Sequence, residues 1–427
     1  MSVIQNQLGF TGGVYYRDSA NLDAFGRLRT STPRSLFDAH NEFGLDTYNI
    51  WDATANGTLI ARDYNASVSN GGNAVGPVNT NSRLCPVTVT STDGHYSILQ
   101  SAYYSNYQPG KSHLIVATGI FAAGSSYTAS FVVRSSVSGS VVDTEIQQAS
   151  WNLDRLDGTG LSGITLDLTK VQILYIDAQM LYAGRIRFGF DIGGVVVYAH
   201  EYLVANVLAQ RTLQLFDLPV RVDGRTDSST TYFSVGYFDA SNGVFLKTSR
   251  TTKGGTVYFN CANVSSEGGE LKNGEPRTVA RTTSVGVTTR RPILSIRPKT
   301  TFNGYRNSSI ITVEQAIARS VSNDAFFEFV VGGSLTDAAF SSLATYSVSE
   351  VDTSATAISG GVVVSSGFCE STGANTGAPV QYPLNQSFWL YQIDALVATQ
   401  TPFSVVATSL NSTANCTTIL NFKERMT

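Results

Sequence analysis

Cysteine is scarce and scattered in this chain. The four thiols, Cys85, Cys261, Cys369 and Cys416, stand far apart, with no C-x-x-C pair and no Cys/His cluster. That spacing argues against a zinc site. Histidine is as rare: His40, His95, His113 and His200 have no cysteine or second histidine at metal-ligand spacing. Charged residues make up only 14%, against roughly a quarter in an average soluble protein. Few Lys–Glu pairs therefore remain to decorate helix faces. The formal net charge of −3 gives no global basic field for nucleic acid, whose binding is led by phosphate neutralisation. No apolar run reaches the roughly 18–20 residues of a membrane-spanning helix. Residues 1–15 show neither a basic start nor an apolar core region, so no secretory signal is expected and folding in a reducing cytosol fits. Patterns of the form G-x-x-x-x-G-K-[ST], H-E-x-x-H and G-x-S-x-G are all absent. No fixed-period repeat stands out, which argues against a propeller, a solenoid or a regular β-helix. Nothing calls for a cofactor or a metal.

The missing charge is replaced by Ser, Thr, Asn and Gly together with Tyr and Phe, which favours strands and turns. Period-2 patterning dominates. Ile186, Phe188, Phe190 and Ile192 alternate, Gly193-Gly194 follows, and then Val195 to Tyr202. Two glycines between strands predict a hairpin with a two-residue turn of positive φ. That register sets Ile192 against Val195, Phe190 against Val197 and Phe188 against Ala199 on an apolar face. Arg185 with Tyr202, Arg187 with His200, and Gly189 with Tyr198 share the opposite, polar face. Further strands are expected at 86–90, 113–121, 127–133, 141–147, 163–167, 171–176, 232–238 and 256–259. A helix over 202–215 has suitable spacing but no clear caps. Ser, Gly, Glu and Asn accumulate at 260–276, and a second set of strand patterns runs from Ile293 to Phe422. The expected architecture is all-β: an extended N-terminal arm (1–40), a β-sandwich (41–275) and a second β-sandwich (276–427), jelly-roll or lectin-like.

Candidate chemistry is thin. Gly158-Thr-Gly160-Leu-Ser-Gly163 matches G-x-G-x-x-G, but a strand-like Ile164-Thr-Leu166-Asp-Leu168 follows it where a dinucleotide site needs a helix. It reads as a structural glycine loop. Glycoside hydrolysis needs two carboxyl groups about 5–10 Å apart. Asp143 with Glu145, Asp191, Glu201 and Glu328 are the carboxylates to weigh, Glu328 for its apolar neighbours Phe326, Phe327 and Phe329. Arg187, Tyr198 and His200 on the polar hairpin face suit a glycan or a subunit contact, as does the cluster Tyr103-Tyr104-Ser-Asn-Tyr107. The basic stretch Arg277, Arg281, Arg290, Arg291, Arg297 and Lys299 reads as exposed charge on strands and a linker, with contact to an acidic partner as the alternative.

The N-terminal run Asp23-Ala-Phe-Gly-Arg-Leu-Arg29, then Thr30-Ser-Thr-Pro33 and Leu36-Phe-Asp38, combines apolar anchors, a flexible glycine and positive charge. Pro33 disfavours a long helix, so the segment reads as an arm that docks through Phe25, Leu28, Arg29 and Phe37. The run resembles the opening of a family of virion structural proteins of tailed bacteriophages, of the marine and aquatic type. The likeness continues in Trp151-Asn-Leu-Asp154, Leu156-Asp-Gly-Thr-Gly160, Gly184-Arg-Ile-Arg-Phe-Gly189, His200-Glu201, Leu218-Pro-Val-Arg221 and Arg297-Pro-Lys-Thr-Thr-Phe-Asn303. The resemblance implies a non-enzymatic component of a virion, assembled in the host bacterial cytoplasm, with other virion proteins and copies of itself as partners. A fibre or spike module recognising host surface glycans is the alternative expectation, and a polysaccharide depolymerase comes third. Neither nucleic acid nor membrane is expected as a partner.

Overall fold

The computed structural model describes residues 10–11, 14–15, 34–40, 51–59, 68–107, 110–179, 182–267, 274–371, 380–383 and 400–425. The chain forms two compact units, Met1–Leu271 and Lys272–Thr427. Among the described residues there is no α-helix; strands joined by turns and loops make up the fold, with a 3-10 turn at Gln148–Ser150. The fold is all-β.

In the first unit the described strands form a nine-stranded and an eight-stranded antiparallel sheet, and Phe10–Thr11 pairs with Val14–Tyr15 in a separate two-stranded one. The two large sheets bury one face each in a shared core, as the period-2 pattern requires when one side of a sheet is covered. Phe131, from the Thr128–Ser135 strand of the eight-stranded sheet, stacks on Phe188 of the nine-stranded sheet with centroids 4.5 Å apart. It also stacks on Trp151, which follows the 3-10 turn, at 4.3 Å. Elsewhere in the core Trp51 sits edge-on to Phe37 (5.4 Å) and Phe259 (5.2 Å). Each aromatic ring so buried contributes roughly 1.5–3 kcal/mol.

The second unit repeats the plan. A four-stranded and a six-stranded sheet enclose a core that includes Ile296, Phe327, Phe329, Phe403 and Phe422. Its Ala414–Arg425 strand is buried at every second position, from Ala414 to Glu424. The last of these is a carboxylate, paired with Arg277 at 2.9 Å and accepting a hydrogen bond from the Ser347 hydroxyl at 2.5 Å.

Three expectations are corrected here. The arm gives way at Arg34 to a strand, Arg34–His40, paired with Gly255–Glu267; Phe37 lies opposite Val264 and packs into its own unit. Phe25, Leu28 and Arg29 fall outside the described residues. Over 202–215 the hairpin strand runs on to Leu203 and turns follow; the helical spacing there is not backed by caps. Segment 163–167 makes only one bridge, Asp157 with Thr165, and is otherwise loop.

His113 is wholly buried, edge-on to Tyr107 (5.2 Å) and Tyr237 (5.7 Å), and neither ring nitrogen has a hydrogen-bond partner. Burial pushes its pKa down to about 4. An unfolded chain protonates this ring near 6.5 while the folded one resists. Stability is therefore intact above pH 6.5 and falls as pH drops towards 4, by on the order of 3 kcal/mol. Urea titrations followed by Trp fluorescence at pH 7 and pH 4.5 are expected to show that loss. His113→Phe is expected to flatten the pH dependence.

Candidate functional site

The hairpin of strands Arg185–Ile192 and Val195–Leu203 turns at Gly193-Gly194, with φ of 64° and 79°. Near the turn the register is as predicted: Ile192 opposes Val195, Phe190 opposes Val197 and Gly189 opposes Tyr198. Between Phe188 and Gly189 the register shifts, and Phe188 opposes His200, Arg187 opposes Glu201 and Ile186 opposes Tyr202. One extra residue on one strand is a β-bulge, and it exchanges the faces of everything beyond it. His200 therefore leaves the row of Arg187, and the Asn152 N–H donates to its Nδ1 at 3.3 Å. Burial lowers the pKa of His200, partly offset by Glu201. Tyr202 packs against the core.

What stands beside Arg187 is Asp177, from the neighbouring strand Gln172–Ala178. The Arg187 Nε donates to Asp177 Oδ2 at 2.9 Å, Nη2 reaches the same oxygen, and the guanidinium lies 4.0 Å from the Tyr198 ring centroid. The Tyr198 hydroxyl completes the cluster at 3.4 Å. The Asp177 side chain is fully enclosed, and its Oδ1 has no partner. Burial raises the Asp177 pKa, and Arg187 pulls it only part of the way back. Tyr198 is likewise raised, by burial and then by Asp177. Beside this cluster Arg185 binds Glu201 at 2.8 Å. Arg187 and Tyr198 thus meet as expected, whereas His200 does not join them. Nor do Tyr103 and Tyr104, which follow the Tyr96–Ser101 strand of the other sheet; Tyr104 is buried, and the Tyr103 carbonyl accepts the Ser101 hydroxyl at 2.8 Å.

A second polar face went unread in the sequence. On the outward side of the eight-stranded sheet, charge and ring alternate without a break. Asp143 holds Arg134 at 2.8 Å; Arg134 covers the Phe245 ring at 5.2 Å; Phe245 meets Phe238 at 4.4 Å; and Arg221 covers Phe238 at 5.4 Å. Arg221 then binds Asp223 at 2.6 Å, Asp223 binds Arg225 at 3.0 Å, and Arg225 lies 5.4 Å from the Tyr96 ring. Lys247 bridges Glu145 (2.8 Å) and the Tyr232 ring (5.3 Å). Tyr96, Arg225 and Tyr232 oppose one another across three strands, on one side of the sheet. The signal was present as Arg221-Val-Asp223-Gly-Arg225, alternate charges on one strand.

The other candidates have plain structural roles. Asp143 and Glu145 lie on the edge strand Val142–Gln147, each held by a cation. Glu328 is held by Arg290 at 2.7 Å. The basic stretch is used inside its own unit: Arg297 binds Glu350 at 2.9 Å, Arg291 and Arg281 donate to the Ala355 and Ile293 carbonyls, and Lys299 donates to that of Ser347. The Gly158–Gly163 loop is organised by Asp154, whose carboxylate accepts the N–H groups of Leu156 (2.9 Å) and Ser162 (2.7 Å). A Cβ at Gly160 would overlap that carboxylate. Among the described residues no group of three or more His, Cys, Asp or Glu could hold a metal ion.

No protein-family model matches the chain, and no curated protein matches it. Among solved structures, Bacillus licheniformis β-glucanase is 12% identical over 55% of this chain and 99% of its own, with a TM-score of 0.16. A lectin from Bauhinia forficata in complex with GalNAc is 12% identical over 56% and 100%, with a TM-score of 0.18. The tandem CBM22 domain of Paenibacillus barcinonensis Xyn10C is 8% identical over 93% and 98%, with a TM-score of 0.20. Superpositions this loose carry no argument about binding or activity.

Arg187→Ala leaves an enclosed carboxylate without its cation and is expected to cost about 3–5 kcal/mol in urea unfolding. Adding Asp177→Asn to that variant is expected to restore part of the loss, because the stranded charge is gone.

Proposed function

We propose that this chain is a non-catalytic structural component of a tailed-bacteriophage particle. The observation that carries the reading is the continuous alternation of ion pairs and rings from Asp143 to Tyr96. The charged groups on that sheet face bind one another, which ties neighbouring strands together and neutralises carboxylates that acid–base chemistry would need unpaired. Two all-β units built this way supply stiff bulk and surface for assembly. The Asp23–Arg29 run and the further segments resembling phage virion proteins support a phage particle as the setting of that assembly. Mass spectrometry of purified phage particles is expected to find the chain in multiple copies. Particles that contain none of it would overturn the reading.

A second reading, recognition of host surface glycans, is favoured by the row Tyr96, Arg225 and Tyr232. These side chains are only part-buried, with the Arg225 side chain 39% exposed. Rings beside a fork of N–H donors suit a sugar, which offers an apolar face and hydroxyl acceptors. In a glycan array, an Arg225→Ala/Tyr232→Ala variant is expected to lose at least tenfold of any signal the parent gives. Asp223 keeps its Arg221 partner in that variant, and circular dichroism is expected to match the parent. Unchanged binding removes the row from consideration.

A further inference from the structure

The ion pairs on the outward face of the eight-stranded sheet are not matched evenly. Asp143 holds Arg134 and Glu145 holds Lys247, one cation each. Asp223 holds two. Arg221 donates to its Oδ2 through Nε at 3.2 Å and through Nη2 at 2.6 Å. The Arg225 Nε donates to its Oδ1 at 3.0 Å and its Oδ2 at 3.1 Å. One carboxylate between two guanidinium groups leaves a positive charge that Asp223 does not balance. Arg221 cannot present that charge, because its Nη1 donates to Gln100 Oε1 at 3.1 Å and the residue is only 6% exposed. The charge is presented by Arg225.

Arg225 is anchored through Nε alone. Neither of its Nη groups donates to a group among the described residues, and its side chain is 39% exposed. The edge of the fork formed by the two Nη groups, which takes a carboxylate through paired N–H···O bonds, is therefore open. Asp227, two residues on, is committed to its own turn, where its Oδ1 accepts the N–H groups of Ser229 (2.9 Å) and Thr230 (2.7 Å). Tyr96 and Tyr232 oppose Arg225 on the two flanking strands. Strands lie about 4.8 Å apart, so the two rings stand roughly 10 Å apart with the cation between them. Both tyrosines are part-buried, and neither hydroxyl has a hydrogen-bond partner among the described residues.

We propose that Arg225, Tyr96 and Tyr232 form a site for an acidic glycan, one whose sugar rings carry carboxylates. The carboxylate takes the open edge of the Arg225 fork, the tyrosine rings cover the apolar side of the sugar, and their hydroxyls meet its hydroxyl groups. A single unbalanced charge matches a carboxylate, whereas a phosphate monoester brings nearly two at neutral pH. A neutral sugar leaves the charge unmatched, and a small free carboxylate gains nothing from the rings. The inference rests on the glycan reading above and narrows it to one chemical class.

The test is isothermal titration calorimetry on the full-length chain at neutral pH. The ligands are oligomers of galacturonic, glucuronic and mannuronic acid, the same oligomers with their carboxyls reduced to alcohols, and acetate. At least one acidic oligomer is expected to bind about tenfold or more tighter than its reduced form, and to weaken as salt is raised. That comparison needs no variant. In Arg225→Gln, checked by circular dichroism, the acidic and reduced forms are expected to bind alike through the remaining rings. Reduced oligomers that bind the unaltered chain as tightly as acidic ones would overturn the proposal and leave the glycan reading standing. No binding by any oligomer would overturn both. Acetate binding as tightly as the oligomers, or an acid preference that survives Arg225→Gln, would also overturn the proposal.

Discussion

The first unit depends on the rings packed on Phe131. Trp151 and Phe188 stack on it, so one strand of the eight-stranded sheet, one strand of the nine-stranded sheet and the turn after Val142–Gln147 meet at a single point. Aromatic pairs are worth about 0.5–1.5 kcal/mol beyond their buried area, but the geometric effect matters more here. With Phe188 fixed inward, its neighbours Arg187 and Gly189 must face outward. Arg187 is then delivered to Asp177, and the bulge beyond Tyr198 is what lets the second hairpin strand keep both its turn and its packing.

Charge in this protein is sparse, and on the two sheet faces described above it is largely paired. Outward-facing arginines lie across phenylalanine or tyrosine rings and bind carboxylates two residues or one strand away. The enclosed pair of Asp177 and Arg187 adds little net stability, since desolvation offsets most of the attraction. Its stronger effect is on specificity, because a register slip would strand a carboxylate inside the sheet. Saturated polar faces of this kind also leave few charges to repel a neighbour.

Period-2 alternation made most of the fold legible. Ile186 to Ile192 and the double glycine define a hairpin from local information alone, and the strands near residues 113–121, 127–133 and 232–238 follow the same logic. What escaped the sequence was non-local. The extra residue at the bulge has no compositional mark, so His200 was assigned to the wrong face. Asp177 becomes significant only when a third strand lies beside Arg187. Phe37 reads as an anchor on an arm until Trp51 and Phe259 are known to frame it. The basic stretch from Arg277 to Lys299 looked unused because its carboxylate and carbonyl partners lie elsewhere in the sequence. The row of Tyr96, Arg225 and Tyr232 joins three strands that no motif connects.

The pairing of Arg34–His40 with the long Gly255–Glu267 strand has a mechanical meaning. The two run antiparallel from Arg34 opposite Ser266 to His40 opposite Cys261. A force applied along the axis of the Arg34–His40 strand would load this ladder in shear, so that its hydrogen bonds share it. A peeling load would break them one at a time. Phe37, wedged against Trp51, resists the same sliding motion from inside the unit.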